Sequence, residues 1–136
     1  MIDTDVCSCL YTRRNDPLGR TATWRELIQG LTVVIATRSQ AELRAGFARA
    51  NWGEPRLANA VQRLEGTPTI PVAASVVDAF VQLTVEARRD GHGLHQKLHT
   101  GDRWVGATAI ALDAPLLSGD AVFQGAPGIR LLDDEA

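Results

Sequence analysis

Four acidic residues, Asp3, Glu42, Asp102 and Asp120, are the side chains of this chain best placed to do chemistry. Asp3 closes the opening "MID". Glu42 lies in "RSQAELRAGF", behind the apolar run "LTVVIA". Asp102 opens "GDRWVGATAIAL", and Asp120 ends "PLLSGD". In an open α/β sheet, ligands and reacting groups collect beyond the carboxyl ends of the parallel strands. Carboxylates gathered there repel one another unless a hard cation neutralises them, and Mg²⁺ and Mn²⁺ take such oxygen ligands. The chemistry that follows most directly is metal-dependent phosphodiester hydrolysis.

Each acid also has a plainer role open to it. Asp3 and Asp102 can cap helices. Glu42, a turn or two into a helix, can face solvent, and Asp120 in "SGD" can be a turn residue. The four together are harder to explain as coincidence than as one site.

The elements that would position them read as follows. "MIDTDVCSCLY" is a short strand that becomes a helix after Asp3 and Thr4. "DPLGRTATWRELIQG" is a loop and a helix stopped by Gly30. The β-branched run "LTVVIA" is expected to be a buried parallel strand. "TRSQAELRAGFARANWG" has helical spacing at Leu43, Phe47 and Ala50, with Ser39 as N-cap and Gly53 as stop. "EPRLANAVQRLEG" sets Leu57, Val61 and Leu64 on one helical face, and Pro55 suits its first turn. "TPTIPVA" is a short extended piece limited by its prolines.

The segment "ASVVDAFVQLTVEARRDG" is expected to be a helix from Ser75 to near Gly91 despite its valines. "HGLHQKLHTG" is a polar connection with some helical character, "DRWVGATAIALD" a small-residue helix, and "APLLS" and "GIRLL" the remaining strands. The tail "DDEA" is solvated. Alternating strands and helices predict one α/β domain, residues 1–136, with a mostly parallel central sheet flanked by helices.

With 136 residues, 45% of them hydrophobic, the chain is the size of one domain and rich enough for a core. No apolar run approaches the ~20 residues of a membrane span. Asp3 and Asp5 interrupt any signal-peptide pattern, so a cytoplasmic location is expected. Cys7 and Cys9 are too close in sequence to favour pairing with each other, which suits a reducing compartment. The net charge is −2, but setting aside the four site acids and Asp133, Asp134 and Glu135 leaves nine acids against 14 bases. That balance permits RNA binding without arguing for it.

Other constellations carry less. His95 and His99 have the i, i+4 spacing of a zinc pair, and Cys7 and Cys9 could complete four ligands. No Glu stands between the histidines, and helical residues two apart face different ways. A polar surface loop and small core cysteines are the better reading. Arg13, Arg14 and Arg20 on one loop, or Arg88 and Arg89 at a helix end, could hold phosphates or carboxylates; solvated surface is the default for both groups. Trp24, Trp52 and Trp104 suit core or dimer packing better than base stacking. There is no Ser–His or Cys–His pair, and "GHG" and "GAPG" lack the context of a phosphate-binding loop.

"IDTDV" before a helix, "SQAELRAGF" after the second strand, "GDRWVGATAIA", and "LLSGDAVF" before "GIRLL" together resemble a PIN domain. More narrowly they resemble the VapC toxins of VapBC toxin–antitoxin modules, over essentially the whole chain and in order. The chain departs from the pattern in three places: only Met1 and Ile2 precede Asp3, position 5 is Asp rather than a neutral polar residue, and Ser118-Gly119 precedes Asp120. The resemblance implies a Mg²⁺- or Mn²⁺-dependent endoribonuclease, a homodimer silenced by a VapB-like antitoxin. It carries Asp3, Glu42, Asp102 and Asp120 over as the acidic site. Asp3 and Asp102 are then the expected direct ligands. Asp120 is a ligand or an outer acceptor, and Glu42 orients the attacking water or acts as base. A catalytically inactive module of the same fold that binds RNA or protein is the alternative, and a DNA-directed nuclease a further one.

Overall fold

The structure is a computed structural model and describes residues 1–12, 16 and 19–132. Arg13 and Arg14, and the tail acids Asp133, Asp134 and Glu135, lie outside the described residues. The helices are α1 (Thr4–Thr12), α2 (Thr21–Ile28), α3 (Thr37–Arg49), α4 (Glu54–Glu65), α5 (Ala74–Arg89) and α6 (Thr100–Ala111). Two short strands, β1 (Ile35–Ala36) and β2 (Thr69–Ile70), pair in parallel with Ile35 opposite Thr69 and Ala36 opposite Ile70.

Single bridges extend this pair into a wider parallel arrangement. Ile2 N donates to Val34 O at 3.0 Å, which ties the chain start to the segment before β1. Ile2 is also bridged in parallel to Leu117, and Leu116 to Leu131. The expected α/β architecture holds, with strands much shorter than the apolar runs that encode them. "LTVVIA" is the clearest correction. Leu31 N bonds back to Ile28 O in the turn after α2, and its side chain is 54% exposed, so pairing begins only at Val34. "APLLS" and "GIRLL" likewise contribute bridges rather than full strands.

The helices follow the apolar spacing of their sequences. In α5, Val76, Ala79, Leu83 and Ala87 are buried at intervals of three and four, as a one-faced helix requires. The helix α6 carries Gly106, Ala107 and Ala109 on its buried side. A Cβ at Gly106 would lie 2.6 Å from Ile129 Cδ1, so the glycine permits the close approach. In α4, Pro55 occupies the first turn and Ala60 and Leu64 face inward. The valines that argued against a helix in α5 are explained by position: Val77, Val81 and Val85 form an exposed strip opposite its buried face.

One core cluster joins Ile2, Val6, Leu10, Trp24, Ile35, Phe47 and Leu64. A second joins Leu83, Leu94, Val105, Leu116 and Phe123 on α5, α6 and the segments around them. Trp24 is core, as expected, and Trp104 stacks on Phe80 with ring centroids 4.0 Å apart. Cys7 is buried, and its burial raises the thiol pKa to about 12. Cys9 packs against the first cluster.

Two expected helix boundaries are corrected. The helix α3 starts at Thr37 with Ala36 as N-cap, so Ser39 is inside the helix, where its buried hydroxyl accepts from Thr4 Oγ1 at 3.0 Å. It ends at Arg49, and Gly53 serves instead as the N-cap of α4. No helix among the described residues is long and apolar enough to cross a membrane.

Candidate functional site

Three chain segments leave the sheet at one edge and carry acids there. Asp3 follows Ile2, Arg38 and Glu42 follow β1 on α3, and Ser118, Gly119 and Asp120 follow the Leu116–Leu117 segment. The first turn of α6 adds Asp102. Asp3, Asp5, Arg38, Glu42, Asp102 and Asp120 all line one cleft of ≈ 860 Å³. The four acids expected from the sequence therefore share a cleft, as a site at the carboxyl edge of a parallel sheet should.

Asp3 is the most enclosed of them, at 6% exposure. Its Oδ1 accepts from Thr4 N and its Oδ2 from Ser118 Oγ, both at 2.8 Å. Burial raises its pKa to about 6. The Ser118 and Thr4 bonds pull against this, and the charges of Asp5 and Asp102 push it further up. A buried carboxyl that senses two other carboxylates makes this cleft a candidate functional site.

Asp5 lies in the first turn of α1, as expected, but is also bonded to the Gly119 backbone. Its Oδ1 accepts from Val6 N at 2.7 Å and its Oδ2 from Gly119 N at 2.9 Å. Burial raises its pKa too, against the bonds from Val6 and Gly119 and the nearby Arg20. Arg20 Nη1 donates to Gly119 O at 3.2 Å. A Cβ at Gly119 would fall 2.7 Å from Asp5 Oδ2, so glycine is what lets this backbone approach.

Asp120 plays the modest part considered for it as well as lining the cleft. Its Oδ1 accepts from Val122 N at 3.0 Å and caps the 3₁₀ turn Ala121–Phe123. Asp102 is no N-cap, because α6 begins two residues earlier at Thr100. The buried Arg103 donates to Leu94 O at 2.7 Å and to Thr100 Oγ1 at 3.2 Å, which fixes this first turn against the linker before it.

Asp102 is held by Arg38, which the sequence reading passed over, and by His99, which it weighed only as half of a zinc pair. Arg38 Nη1 donates to Asp102 Oδ1 at 3.0 Å, and His99 Nδ1 lies 2.9 Å from Asp102 Oδ2. Arg38 Nε also pairs with Glu42 Oε1, which is buried against it without an aligned hydrogen bond. The i, i+4 spacing of Arg38 and Glu42 and the i, i+3 spacing of His99 and Asp102 were signals available in the sequence. His95 and His99 do not act as a pair, and His92 rather than either bonds to Gln124 O, at 2.8 Å.

The donor set fits a hard divalent ion in kind: aspartate and glutamate oxygens on one cleft wall, with Asp3 feeling the charges of Asp5 and Asp102. Among the described residues, however, no three acidic, histidine or cysteine side chains converge closely enough to enclose an ion as they stand. The cation in contact with Asp102 and Glu42 is a guanidinium.

Where α1 and α3 end, away from Asp3 and Arg38 at their starts, the far part of the cleft has another character, and Arg56 Nη2 donates to Thr12 O there at 3.2 Å. Arg49, Trp52 and Arg56 line it, with the Arg56 guanidinium 4.3 Å from the Trp52 ring centroid. Phe47 packs beside Trp52 at 5.6 Å.

The family description for the PIN domain matches residues 1–129, and the chain belongs to that family. Its fold is that of several solved proteins, among them a member of the VapBC family of toxin–antitoxin systems. VapBC2 from Rickettsia felis, bound to a DNA fragment from its promoter, superposes with a TM-score of 0.75 at 21% identity, covering 96% of this chain and 95% of that one. FitAcB from Neisseria gonorrhoeae gives 0.71 at 21% identity, over 97% and 95%. VapBC-5 from Mycobacterium tuberculosis gives 0.66 at 22% identity, over 96% and 94%. No curated protein sequence matches the chain significantly.

Proposed function

We propose that this PIN domain is the toxin of a type II toxin–antitoxin pair, an endoribonuclease that works with Mg²⁺ or Mn²⁺. The observation that carries the reading is the single cleft that holds Asp3, Glu42, Asp102 and Asp120 at one end and Arg49, Trp52 and Arg56 at the other. Acids suit the cleavage centre. Arginines and an aromatic ring suit the phosphates and bases of a single strand.

Asp3 and Asp102 would hold the ion, with Asp120 and Glu42 beside them. An ion held there would supply charge neutralisation and Lewis-acid activation for phosphodiester hydrolysis. The protein's own groups do the rest. Ser118 orients Asp3 and Asp5 ties the Gly119 backbone to α1. Glu42, in the same cleft, would orient the attacking water or take its proton. A cognate VapB-like antitoxin would silence the site by laying a cationic side chain among the same acids. The exposed valine strip of α5 offers the apolar surface for a second copy in a homodimer. A cytoplasmic location goes with an RNA substrate.

A second reading is favoured by the pairing of Arg38 with Asp102 and Glu42. Acids already neutralised by the chain itself could belong to a catalytically inactive module that binds RNA or protein. Purified protein incubated with single-stranded RNA separates the two. Cleavage that needs Mn²⁺ and stops with a chelator supports the nuclease; RNA binding without cleavage supports the module.

A further inference from the structure

The acidic cleft contains a cation of the chain's own. We propose, building on the metal-site reading, that Arg38 is a resident counter-cation that a divalent ion must displace from Asp102 in order to bind.

Three observations support this. Arg38 spans two of the candidate ligands at once, with Nη1 3.0 Å from Asp102 Oδ1 and Nε paired with Glu42. The second oxygen of Asp102 is taken by His99 at 2.9 Å, so neither oxygen of this carboxylate is free as the protein stands. The seat for the guanidinium is built into the backbone: a Cβ at Gly101 would overlap Arg38 Cζ and come within 2.7 Å of Nη2. Only a residue without a side chain at position 101 leaves Arg38 its present place against the first turn of α6.

The physical consequence is competition. A cluster of carboxylates taken partly out of water needs positive charge to stay ionised. Arg38 supplies some of it in the metal-free protein. The same bonds must break before Asp102 can turn an oxygen to an ion, and a guanidinium left nearby repels that ion. Arg38 is thus a positioning residue that sets how much free metal the site demands. It holds Asp102 and Glu42 through side-chain contacts and acts through them.

The test is Mn²⁺ titration calorimetry on the intact protein, on Arg38→Gln and on Gly101→Ala. Arg38→Gln should bind Mn²⁺ more tightly, by about five- to tenfold, while the metal-free variant melts earlier than the parent. Gly101→Ala keeps the arginine and favours the helix, yet pushes the guanidinium off its seat; it should also bind Mn²⁺ more tightly. A general loss of structure would weaken binding, and loss of a nearby positive charge alone would tighten only Arg38→Gln, so tightening in Gly101→Ala as well is specific to displacement. Unchanged or weaker affinity in Gly101→Ala, with the parent still binding Mn²⁺, overturns the counter-cation and leaves the metal site intact. No Mn²⁺ binding by the parent or by either variant overturns the metal site itself, and the counter-cation with it.

Discussion

Ser118 donates its hydroxyl to Asp3 Oδ2 at 2.8 Å across 115 positions of chain, and so joins the first and third segments of the sheet edge at the acid that is most buried. The same Ser118 oxygen accepts from Asp120 N at 3.0 Å. One hydroxyl therefore orients one candidate ligand and the loop that carries another. Ser118→Ala should leave a buried carboxylate oxygen without its donor. At pH 8 the loss of stability should be about 1–2 kcal/mol, and Mn²⁺ binding should weaken while the fold persists. Chemical denaturation together with calorimetric titration checks both. An alanine variant with parental stability and affinity would show that the bond does not orient the site.

Asp3 makes the stability of the metal-free protein pH-dependent. Its pKa is raised from 3.8 to about 6, chiefly by burial, so the folded state holds the proton more tightly than the unfolded chain. Below pH 3.8 both states are protonated and this group costs nothing. Between pH 4 and 6 the unfolded chain ionises first, so stability falls as pH rises, by on the order of 2 kcal/mol from this group alone. Asp3→Asn should flatten that part of the curve. Bound Mn²⁺ holds the carboxylate form, so the thermal shift on adding Mn²⁺ should be small at pH 5 and grow through pH 6. Melting curves of parent and variant across pH 4–8 give the answer, and an unchanged slope in Asp3→Asn would assign it to other groups.

Asp3 and Asp5 should separate on substitution. Asp3→Ala is expected to remove Mn²⁺ binding. Asp5 accepts from Val6 N and Gly119 N, so Asp5→Asn should loosen the Gly119 loop, cost about 1 kcal/mol, and lower activity by much less. Titration of both variants decides between them. If Asp5→Asn loses the ion and Asp3→Ala keeps it, their roles are reversed.

The far end of the cleft should matter for RNA affinity rather than for chemistry. Arg49→Ala and Arg56→Ala should each weaken binding of a single-stranded oligonucleotide and make it less sensitive to salt. Trp52→Ala should weaken it by about 1–3 kcal/mol if a base stacks there. Filter binding of the Asp102→Asn background at several salt concentrations measures all three. Unaltered affinity in all of them would place the RNA elsewhere.

Much of the site could be read in the sequence because each acid follows an element that the apolar pattern reveals. The run ending in Ile35 and Ala36 marks β1, which leads into α3 with Glu42, and the small residues Gly106, Ala107 and Ala109 mark α6, whose first turn carries Asp102. Strand lengths could not be read that way. They are set by which backbones meet, and Leu31 is apolar yet bonded back to the turn after α2. Ser39 looked like an N-cap by type, but α3 starts two residues earlier and turns its hydroxyl toward Thr4. Arg38 escaped notice for a different reason. Its contact with Asp102 spans 64 positions and depends on Gly101 leaving the space, which no periodicity reports.

Asp102→Asn should separate a divalent-ion site for RNA cleavage from any other use of these acids. The substitution keeps the shape of a side chain already held by Arg38 and His99 but removes the charge that binds the ion. Parent and variant should be incubated with single-stranded RNA, with Mn²⁺ and with a chelator, after circular dichroism has shown both to be folded. Cleavage by the parent with Mn²⁺ alone, and none by the variant, is the expected result. Equal cleavage by the folded variant, or cleavage by the parent that persists in the chelator, would rule out a metal-dependent nuclease site at these acids.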